Sequence, residues 1–200
     1  MENSETQKKQ SNLTGEELLK KYLNGDDPAF ERLIELYEDD LARFIYIMVG
    51  NRYEVKNLTI ETFGELAITG KRFSGKSSLK TYLFGIAKNV ISRHIKAQKK
   101  NDYIAFDDVE NIIHDIQETP HALLEREEEK QMLYKAMKKL KKEHREVLEL
   151  IYFENMSYRQ AATIIGKSEN STKQLIYRAK LSLQKAMDIS PKFTIRFIFF

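Results

Sequence analysis

The segment from Ser157 to Lys180, SYRQAATIIGKSENSTKQLIYRAK, constrains the fold of this chain more than any other segment. Its pattern predicts two short helices joined by a tight turn at Gly166, where a left-handed backbone costs glycine little. Ser168 is expected to cap the second helix, whose inner side carries small and apolar residues. The arrangement is typical of a helix-turn-helix, whose second helix enters the DNA major groove. Its donor-rich outer side chains are Lys173, Gln174, Tyr177 and Arg178.

Length and composition narrow the class of protein further. The 200 residues allow one or two domains, and no apolar run approaches the roughly 20 residues of a membrane-spanning helix. The polar N-terminus does not resemble a secretory signal. Because the chain has no cysteine, disulfides, thiolate metal sites and thiol catalysis are excluded. These features predict a cytoplasmic protein without membrane insertion.

Apolar residues recur at helical spacing along the chain, and no strand-like alternation is present. The pattern predicts an all-α fold of two helical domains joined by an acidic linker, the C-terminal one containing the helix-turn-helix. The expected segments are a flexible tail (1–12), a first domain (13–100), the linker (101–121), a second domain (122–188) and a hydrophobic C-terminal tail (189–200).

A long stretch without acidic residues lies at the end of the first domain. Between Leu66 and Asn101 there is no Asp or Glu, whereas Lys and Arg recur throughout. Phe73, Tyr82 and Phe84 are interleaved with these cations, although Phe84 is expected to be buried. Cations that follow a phosphate backbone and aromatic faces that stack on bases favour binding of single-stranded nucleic acid. Charges alone would fit a solvated helix face equally well.

No arrangement of residues in the sequence indicates catalysis. The four histidines, His94, His114, His121 and His144, do not pair with carboxylates at metal-ligand spacing on one face. A glycine-rich phosphate loop and a nucleophile-base pair are also absent from the sequence. We therefore predict a protein that is not an enzyme, with no cofactor, no metal and no small-molecule substrate.

The segment FSGKSSLKTYLFGIAKNVISRHIK resembles the promoter-melting segment of the extracytoplasmic-function sigma factors of bacterial RNA polymerase. That family typically shows Phe-x-Gly, Thr-Trp-Leu and Ile-Ala-x-Asn. The matching residues here are Phe73, Gly75, Thr81, Leu83, Ile86, Ala87 and Asn89, with Tyr82 in place of the usual Trp. The framework of the family's C-terminal DNA-binding domain is matched by Leu140, Val147, Leu148, Tyr158, Ala162, Thr172, Arg178 and Ala179. The resemblance extends from about Leu18 to Met187.

The resemblance implies an alternative sigma factor that directs core RNA polymerase to specific promoters and initiates transcription. The first domain would dock on core polymerase and read the minus-ten element as a melted non-template strand, and the second would bind the minus-thirty-five element as duplex DNA. An anti-sigma factor is the further partner that the family implies. The implied minus-ten residues are Phe73, Ser74, Gly75, Lys76, Ser77, Lys80, Tyr82, Lys88, Asn89 and Arg93. The implied minus-thirty-five residues are Lys173, Gln174, Tyr177 and Arg178, and the implied docking residues are Leu58, Glu61, Thr62 and Phe63.

Several positions depart from the family pattern. The acidic pair of the docking helix is replaced by Lys56 and Asn57, its Gln is replaced by Ile60, and Arg93 lies where the family usually has Asp. Leu175 lies where a basic residue is frequent. Two alternatives therefore stay open: a sigma-like adaptor that titrates an anti-sigma factor, and a simple helix-turn-helix regulator.

Overall fold

The computed structural model describes residues 13–100 and 132–187, and all regular structure in these two ranges is helical. The first range contains α1 (Gly15–Leu23), α2 (Asp27–Val49), α3 (Arg52–Thr69), a 3-10 turn (Gly70–Arg72) and α4 (Leu79–Lys100). The second contains α5 (132–139), α6 (Lys142–Leu148), a π-helix (Glu149–Phe153), α7 (Tyr158–Ile165) and α8 (Glu169–Met187). The predicted all-α class is confirmed.

Some predicted features lie outside the described residues. These are the N-terminal tail (1–12), the acidic linker (101–121), the start of the second domain (122–131), the C-terminal tail (189–200), and His114 and His121. Below, the first domain means residues 13–100 and the second domain means residues 132–187.

Local capping groups set the helix boundaries in the first domain. Thr14 Oγ1 accepts a hydrogen bond from the backbone N–H of Glu17 (3.3 Å), and Glu17 Oε2 accepts from the N–H of Thr14 (2.8 Å). This reciprocal pair satisfies two donors that the first helical turn leaves without partners. Gly50 ends α2 with φ 75°, and Asn51 Oδ1 accepts from the N–H of Tyr53 (3.0 Å) to begin α3. The Thr-x-x-Glu spacing of Thr14 and Glu17 and the Gly-Asn pair at positions 50 and 51 are the sequence signals of these boundaries.

The core of the first domain lies between α2 and α4. Leu33, Leu41 and Phe44 from α2 are fully buried, as are Leu83 and Phe84 from α4. The rings of Phe44 and Phe84 are 5.1 Å apart between centroids, a separation typical of favourable aromatic pairs. The expectation that Phe84 is buried is confirmed, and this packing fixes which faces of α4 remain available.

The helix-turn-helix forms as the sequence predicts. Gly166 follows α7 in the left-handed conformation (φ 75°, ψ 36°), and Ser168 Oγ accepts from the N–H of Ser171 (3.2 Å) at the start of α8. The buried residues of α8 include Thr172 and Ile176, as expected, and also Leu175, which is 2% exposed. The replacement of a basic residue by Leu175 therefore concerns core packing, because this side chain does not face outward.

The helix that follows α6 differs from the regular α-helix that the spacing of Val147, Leu148, Ile151 and Tyr152 predicts. Its backbone forms a π-helix over Glu149–Phe153, in which the N–H of Glu154 donates to the carbonyl of Glu149 (3.0 Å). In an α-helix, residues five apart point in different directions, whereas an i→i+5 bond brings them onto one side. The π-helix therefore brings the side chains of Glu149 and Glu154 together.

The two domains pack directly on each other. Helices α2 and α4 of the first domain contact α6, the π-helix and α7 of the second, and the buried apolar residues form one continuous cluster. This arrangement decides which of the predicted DNA-binding residues are accessible.

Candidate nucleic-acid interface

The loop before α4 presents a small exposed tip. Ser74, Gly75 and Lys76 are exposed, and Gly75 has φ +69°, a conformation that favours glycine. The rings of Phe73 and Tyr82 pack 5.3 Å apart between centroids, and the hydroxyl of Tyr82 donates to the carbonyl of Thr69 (3.3 Å). Both rings are half-buried, so they hold the loop against α4 while its tip faces solvent.

Helix α4 divides the predicted minus-ten residues between two opposite faces. At 3.6 residues per turn, the nine steps from Lys80 to Asn89 amount to two and a half turns. Asn89 and Arg93 are exposed and lie on the same side as Tyr82. Lys80 and Lys88 lie on the side that packs against the second domain. The ten predicted residues therefore do not form one surface, and their part in minus-ten recognition stays a prediction.

The outer face of α4 is linked to α3 by Arg93. Its guanidinium donates to Glu61 Oε1 (2.9 Å) and also contacts the carboxylate of Glu65. The hydrogen bond that Arg93 donates to Glu61, followed by the one to Glu65, raises the pKa of Arg93. Because these groups are largely exposed, the pairs contribute only about 0.2–1 kcal/mol each. Asn89, one turn away, makes no hydrogen bond to any residue that the structure describes, so its amide is available to a ligand.

The inner face of α4 is engaged by carboxylates. Lys80 Nζ lies 2.8 Å from Asp40 Oδ2 of α2 and 2.8 Å from Glu154 Oε2 at the end of the π-helix. Lys88 Nζ lies 2.9 Å from Glu146 Oε1 of α6 and donates to the carbonyl of Ile165 at the end of α7 (2.9 Å). Both lysines are therefore held by the second domain in this arrangement.

Arg43 completes a group of charges between the domains that the sequence did not reveal. Its Nη2 contacts Asp40 Oδ1 (3.0 Å) and Glu154 Oε1 (2.5 Å), and its Nε contacts Glu149 Oε1 (3.3 Å). We call Asp40, Arg43, Lys80, Glu149 and Glu154 the interdomain charge cluster. Both glutamate side chains are 0% exposed. A charged group taken out of water needs close partners, and this cluster supplies them across the domain boundary.

The environment shifts the ionisation of the cluster. Burial raises the pKa of Glu149 to about 8 against the opposing effect of Arg43, and burial likewise raises the pKa of Glu154. For Lys80, burial lowers the pKa, but the hydrogen bonds to Asp40 and Glu154 outweigh burial and the net shift is upward. Glu149 Oε2 is buried and has no hydrogen-bond partner among the residues that the structure describes. One buried oxygen of the interdomain charge cluster therefore lacks a hydrogen-bond partner.

The outer face of α8 brings the four predicted minus-thirty-five residues together. Lys173, Gln174, Tyr177 and Arg178 are all exposed and occupy neighbouring positions on successive turns. Lys173 Nζ pairs with Glu169 Oε1 (3.0 Å) and lies 5.8 Å from the centroid of the Tyr158 ring. This face combines donors and an aromatic ring on a rigid helix, as readout of a major groove requires.

Three of the four predicted docking residues lie inside the first domain. Leu58, Thr62 and Phe63 are buried, and Thr62 Oγ1 donates to the carbonyl of Leu58 (2.7 Å). They hold α3 in place and do not present a surface in this arrangement, and their contact with core polymerase stays a prediction. Glu61 is exposed. The outer face of α3 further carries the exposed apolar residues Tyr53, Ile60 and Ile68.

Across residues 13–100 and 132–187, no three His, Cys, Asp or Glu side chains are grouped as metal ligands would be. Within those same ranges, no helix has both the length and the apolar character that crossing a bilayer requires.

Two family models match the two domains in order. A model of sigma-70 region 2 matches residues 33–101, and a model of sigma-70 region 4 matches residues 130–183. Together they cover more than half of the chain.

Individual relatives agree with these matches. The chain is 25% identical over 178 residues to the ECF RNA polymerase sigma factor BldN of Streptomyces coelicolor, covering 86% of this chain and 65% of that protein. It is 26% identical over 154 residues to the ECF RNA polymerase sigma factor SigM of Bacillus subtilis, covering 77% of this chain and 92% of that protein. A solved structure, the sigma factor RpoE of Bartonella quintana in complex with the anti-sigma factor NepR, has the same fold. Its TM-score is 0.66 at 24% identity, covering 80% of this chain and 98% of that chain.

The matched regions and the helical domains define a sigma-70-type transcription initiation factor. The chain belongs to the extracytoplasmic-function (ECF) family of sigma factors, which direct RNA polymerase to promoters. Sigma factors are non-enzymatic initiation factors, in agreement with the expectation from sequence.

Proposed function

We propose that this chain recognises its promoters through two separate surfaces on the two domains. The outer face of α8 binds the minus-thirty-five element as duplex DNA, with Gln174 and Tyr177 at the groove and Lys173 and Arg178 at phosphates or base edges. The observation that carries this proposal is the exposure of all four side chains on one helix face of a formed helix-turn-helix.

The first domain reads the minus-ten element as a melted strand. The exposed tip at Ser74, Gly75 and Lys76 receives a base that leaves the stack, and Asn89 pairs with a base edge through its amide. The supporting observations are the positive φ of Gly75 and the exposed amide of Asn89 on the side of α4 that carries Tyr82. Phe73, Ser77 and Tyr82 shape the loop, and Arg93, which Glu61 and Glu65 hold in place, lies on the same side.

Core polymerase docks on the outer face of α3. Glu61 is the predicted docking residue that is exposed, and the exposed Tyr53 and Ile60 extend the surface along the same helix. Ile60 lies where the family usually has Gln, and Lys56 and Asn57 lie where it has an acidic pair, so this contact relies on apolar burial more than on charge. The protein works in the cytoplasm, where the polymerase is, and an anti-sigma factor inhibits it, as the solved complex of RpoE with NepR suggests by similarity.

The deciding experiment is in-vitro transcription of total bacterial DNA by sigma-free core polymerase, with and without this chain, followed by sequencing of the RNA starts. New starts that share two upstream elements are expected. If none appear while the same core is active with another sigma factor, the proposal is overturned, and an adaptor that titrates an anti-sigma factor becomes the better explanation.

A further inference from the structure

The two domains meet through charge as well as through apolar contact. Arg43 and Lys80 of the first domain face Glu149 and Glu154 of the second, and Lys88 faces Glu146. These contacts join residues that lie far apart in sequence. The interface therefore couples the inner face of α4 to α6, the π-helix and α7.

The lysines of this interface are also candidate ligands of DNA phosphate. Lys80 and Lys88 belong to the acid-free stretch, whose cations suit a nucleic-acid backbone. A carboxylate oxygen and a phosphate oxygen make the same kind of charge-assisted hydrogen bond to a lysine ammonium. Glu154 and Glu146 of the second domain, with Asp40 of the first domain also beside Lys80, thus hold these ammonium groups by the kind of bond that a phosphate would make.

The closed arrangement is too compact to span a promoter. Helix α7 packs on α4, and α8 packs on α7, so two helix-packing distances of about 10 Å place α8 about 20 Å from α4. Elements centred near minus ten and minus thirty-five are about 25 base pairs apart, or about 85 Å at about 3.4 Å per base pair. The chain between residues 100 and 132 could reach about 100 Å when fully extended. The domains must separate if both elements are to be bound at once.

We propose that the closed arrangement is a self-masked state, in which carboxylates of the second domain hold Lys80 and Lys88 until the domains separate and DNA phosphates replace them. This inference rests on the proposed function, since it takes the first domain to bind the melted strand. The incomplete satisfaction of Glu149 Oε2 makes the interface reversible, because a buried carboxyl with an unmet hydrogen-bonding group weakens the closed state.

The first test reads the domain arrangement in the full-length chain. Because the sequence has no cysteine, Glu38→Cys and Lys185→Cys at two exposed positions accept a dye pair for energy transfer without further changes. Glu154→Arg, which places a cation against Arg43 and Lys80, should lower the transfer efficiency. Adding Arg43→Glu to Glu154→Arg restores an attractive pair and should recover the transfer.

Two further variants control this test. Glu143→Arg makes the same change of charge on the exposed side of α6, where Glu143 lies 3.5 Å from Lys167 of its own domain, and should leave the transfer unchanged. If Glu154→Arg loses its helical circular dichroism, Arg43→Glu alone opens the interface from the other domain and carries the test. A chain that stays closed in every variant, or that is not rescued by the charge exchange, overturns the proposal.

The second test measures masking itself, with oligothymidylate as the probe. Separation frees Lys88 and removes Glu154 from Lys80, beside which Asp40 of the first domain remains. The slope of log affinity against log salt should therefore become steeper by about 0.7–1.4, at about 0.7 per phosphate contact on a single strand. The comparison is between Glu154→Arg and Glu143→Arg, which carry equal charge. If the domains separate in Glu154→Arg but the slope of log affinity against log salt does not change, the proposal that the closed state masks the lysines is refuted. Run-off transcription by the unmodified chain with core polymerase reports the proposed function separately, so the two failures are distinguishable.

Discussion

The pH dependence of domain closure is a quantitative consequence of the interdomain charge cluster. In the closed state, burial raises the pKa of Glu149 to about 8, whereas an exposed glutamate in the open state keeps its ordinary value near 4.5. The closed state therefore binds more protons between these two values. Closure is fully favoured below the open-state pKa and is progressively lost as the pH rises towards 8.

The magnitude follows from the number of protons involved. If closing takes up one proton on Glu149, the closing constant falls by up to about tenfold per pH unit, or about 3 kcal/mol between pH 6 and pH 8. The raised pKa of Glu154 acts in the same direction. Asp40 has a lowered pKa, and Arg43 and Lys80 have raised ones, so these three groups keep their charge throughout this range.

The assay is energy transfer between the two domains, measured from pH 6 to pH 8 at constant salt. Glu149→Gln mimics the protonated carboxyl and should make closure nearly independent of pH, apart from the smaller effect of Glu154. Glu143→Gln, at an exposed position, should retain the full dependence. A closing constant that does not change across this range in the unmodified chain would refute the reasoning, as would an unchanged dependence in Glu149→Gln.

Further predictions concern the DNA surfaces and the turn. Asn89→Ala should lower open-complex formation, measured by permanganate footprinting, with no change in duplex binding by the second domain; equal melting would remove Asn89 from the site. Arg178→Ala should weaken binding to the minus-thirty-five duplex, by about 1–3 kcal/mol if Arg178 contacts a base edge. If the substitution leaves the affinities for promoter DNA and for scrambled DNA unchanged, Arg178 is not part of the site. Gly166→Ala should lower the free energy of unfolding by about 1 kcal/mol, because φ is +75° although a methyl group has space. Gly85→Ala, at an open helical position, should raise it by about 0.5–1 kcal/mol, and thermal melts that give both changes the same sign would contradict the backbone argument.

Features determined by local chemistry could be predicted from the sequence. The Thr14–Glu17 capping box, the turn at Gly166 and the Ser168 cap each depend on residues within a few positions of one another, and all three form. The outer face of α8 follows from the same periodicity, because burial of Ile176 on one side places Tyr177 on the other. The all-α class and the helix-turn-helix could be predicted from the sequence for this reason.

The placement of the predicted minus-ten residues on two sides of α4 could be predicted from the sequence in part. Helical periodicity alone places Lys80 and Asn89 on opposite sides, so the sequence already indicates that the predicted minus-ten residues lie on two sides of α4. The residues that cover Lys80 could not be predicted from the sequence. Arg43 lies 106 residues from Glu149 and 111 from Glu154, and nothing local connects them. The π-helix that brings the two glutamates together likewise has no signature in the spacing of apolar residues.

The chemistry of the interdomain charge cluster argues for an interface that changes partners. A permanent domain contact gains nothing from buried ion pairs, since apolar residues of similar volume usually stabilise such a contact equally well or better. An apolar inner face on α4 could not, however, bind a phosphate backbone after the domains separate. Under the proposed self-masking, lysines at positions 80 and 88 serve both states, and the second domain then requires carboxylates opposite them to avoid unpaired buried charge. The need to bind two partners in turn accounts for a charged interface where packing alone would favour an apolar one.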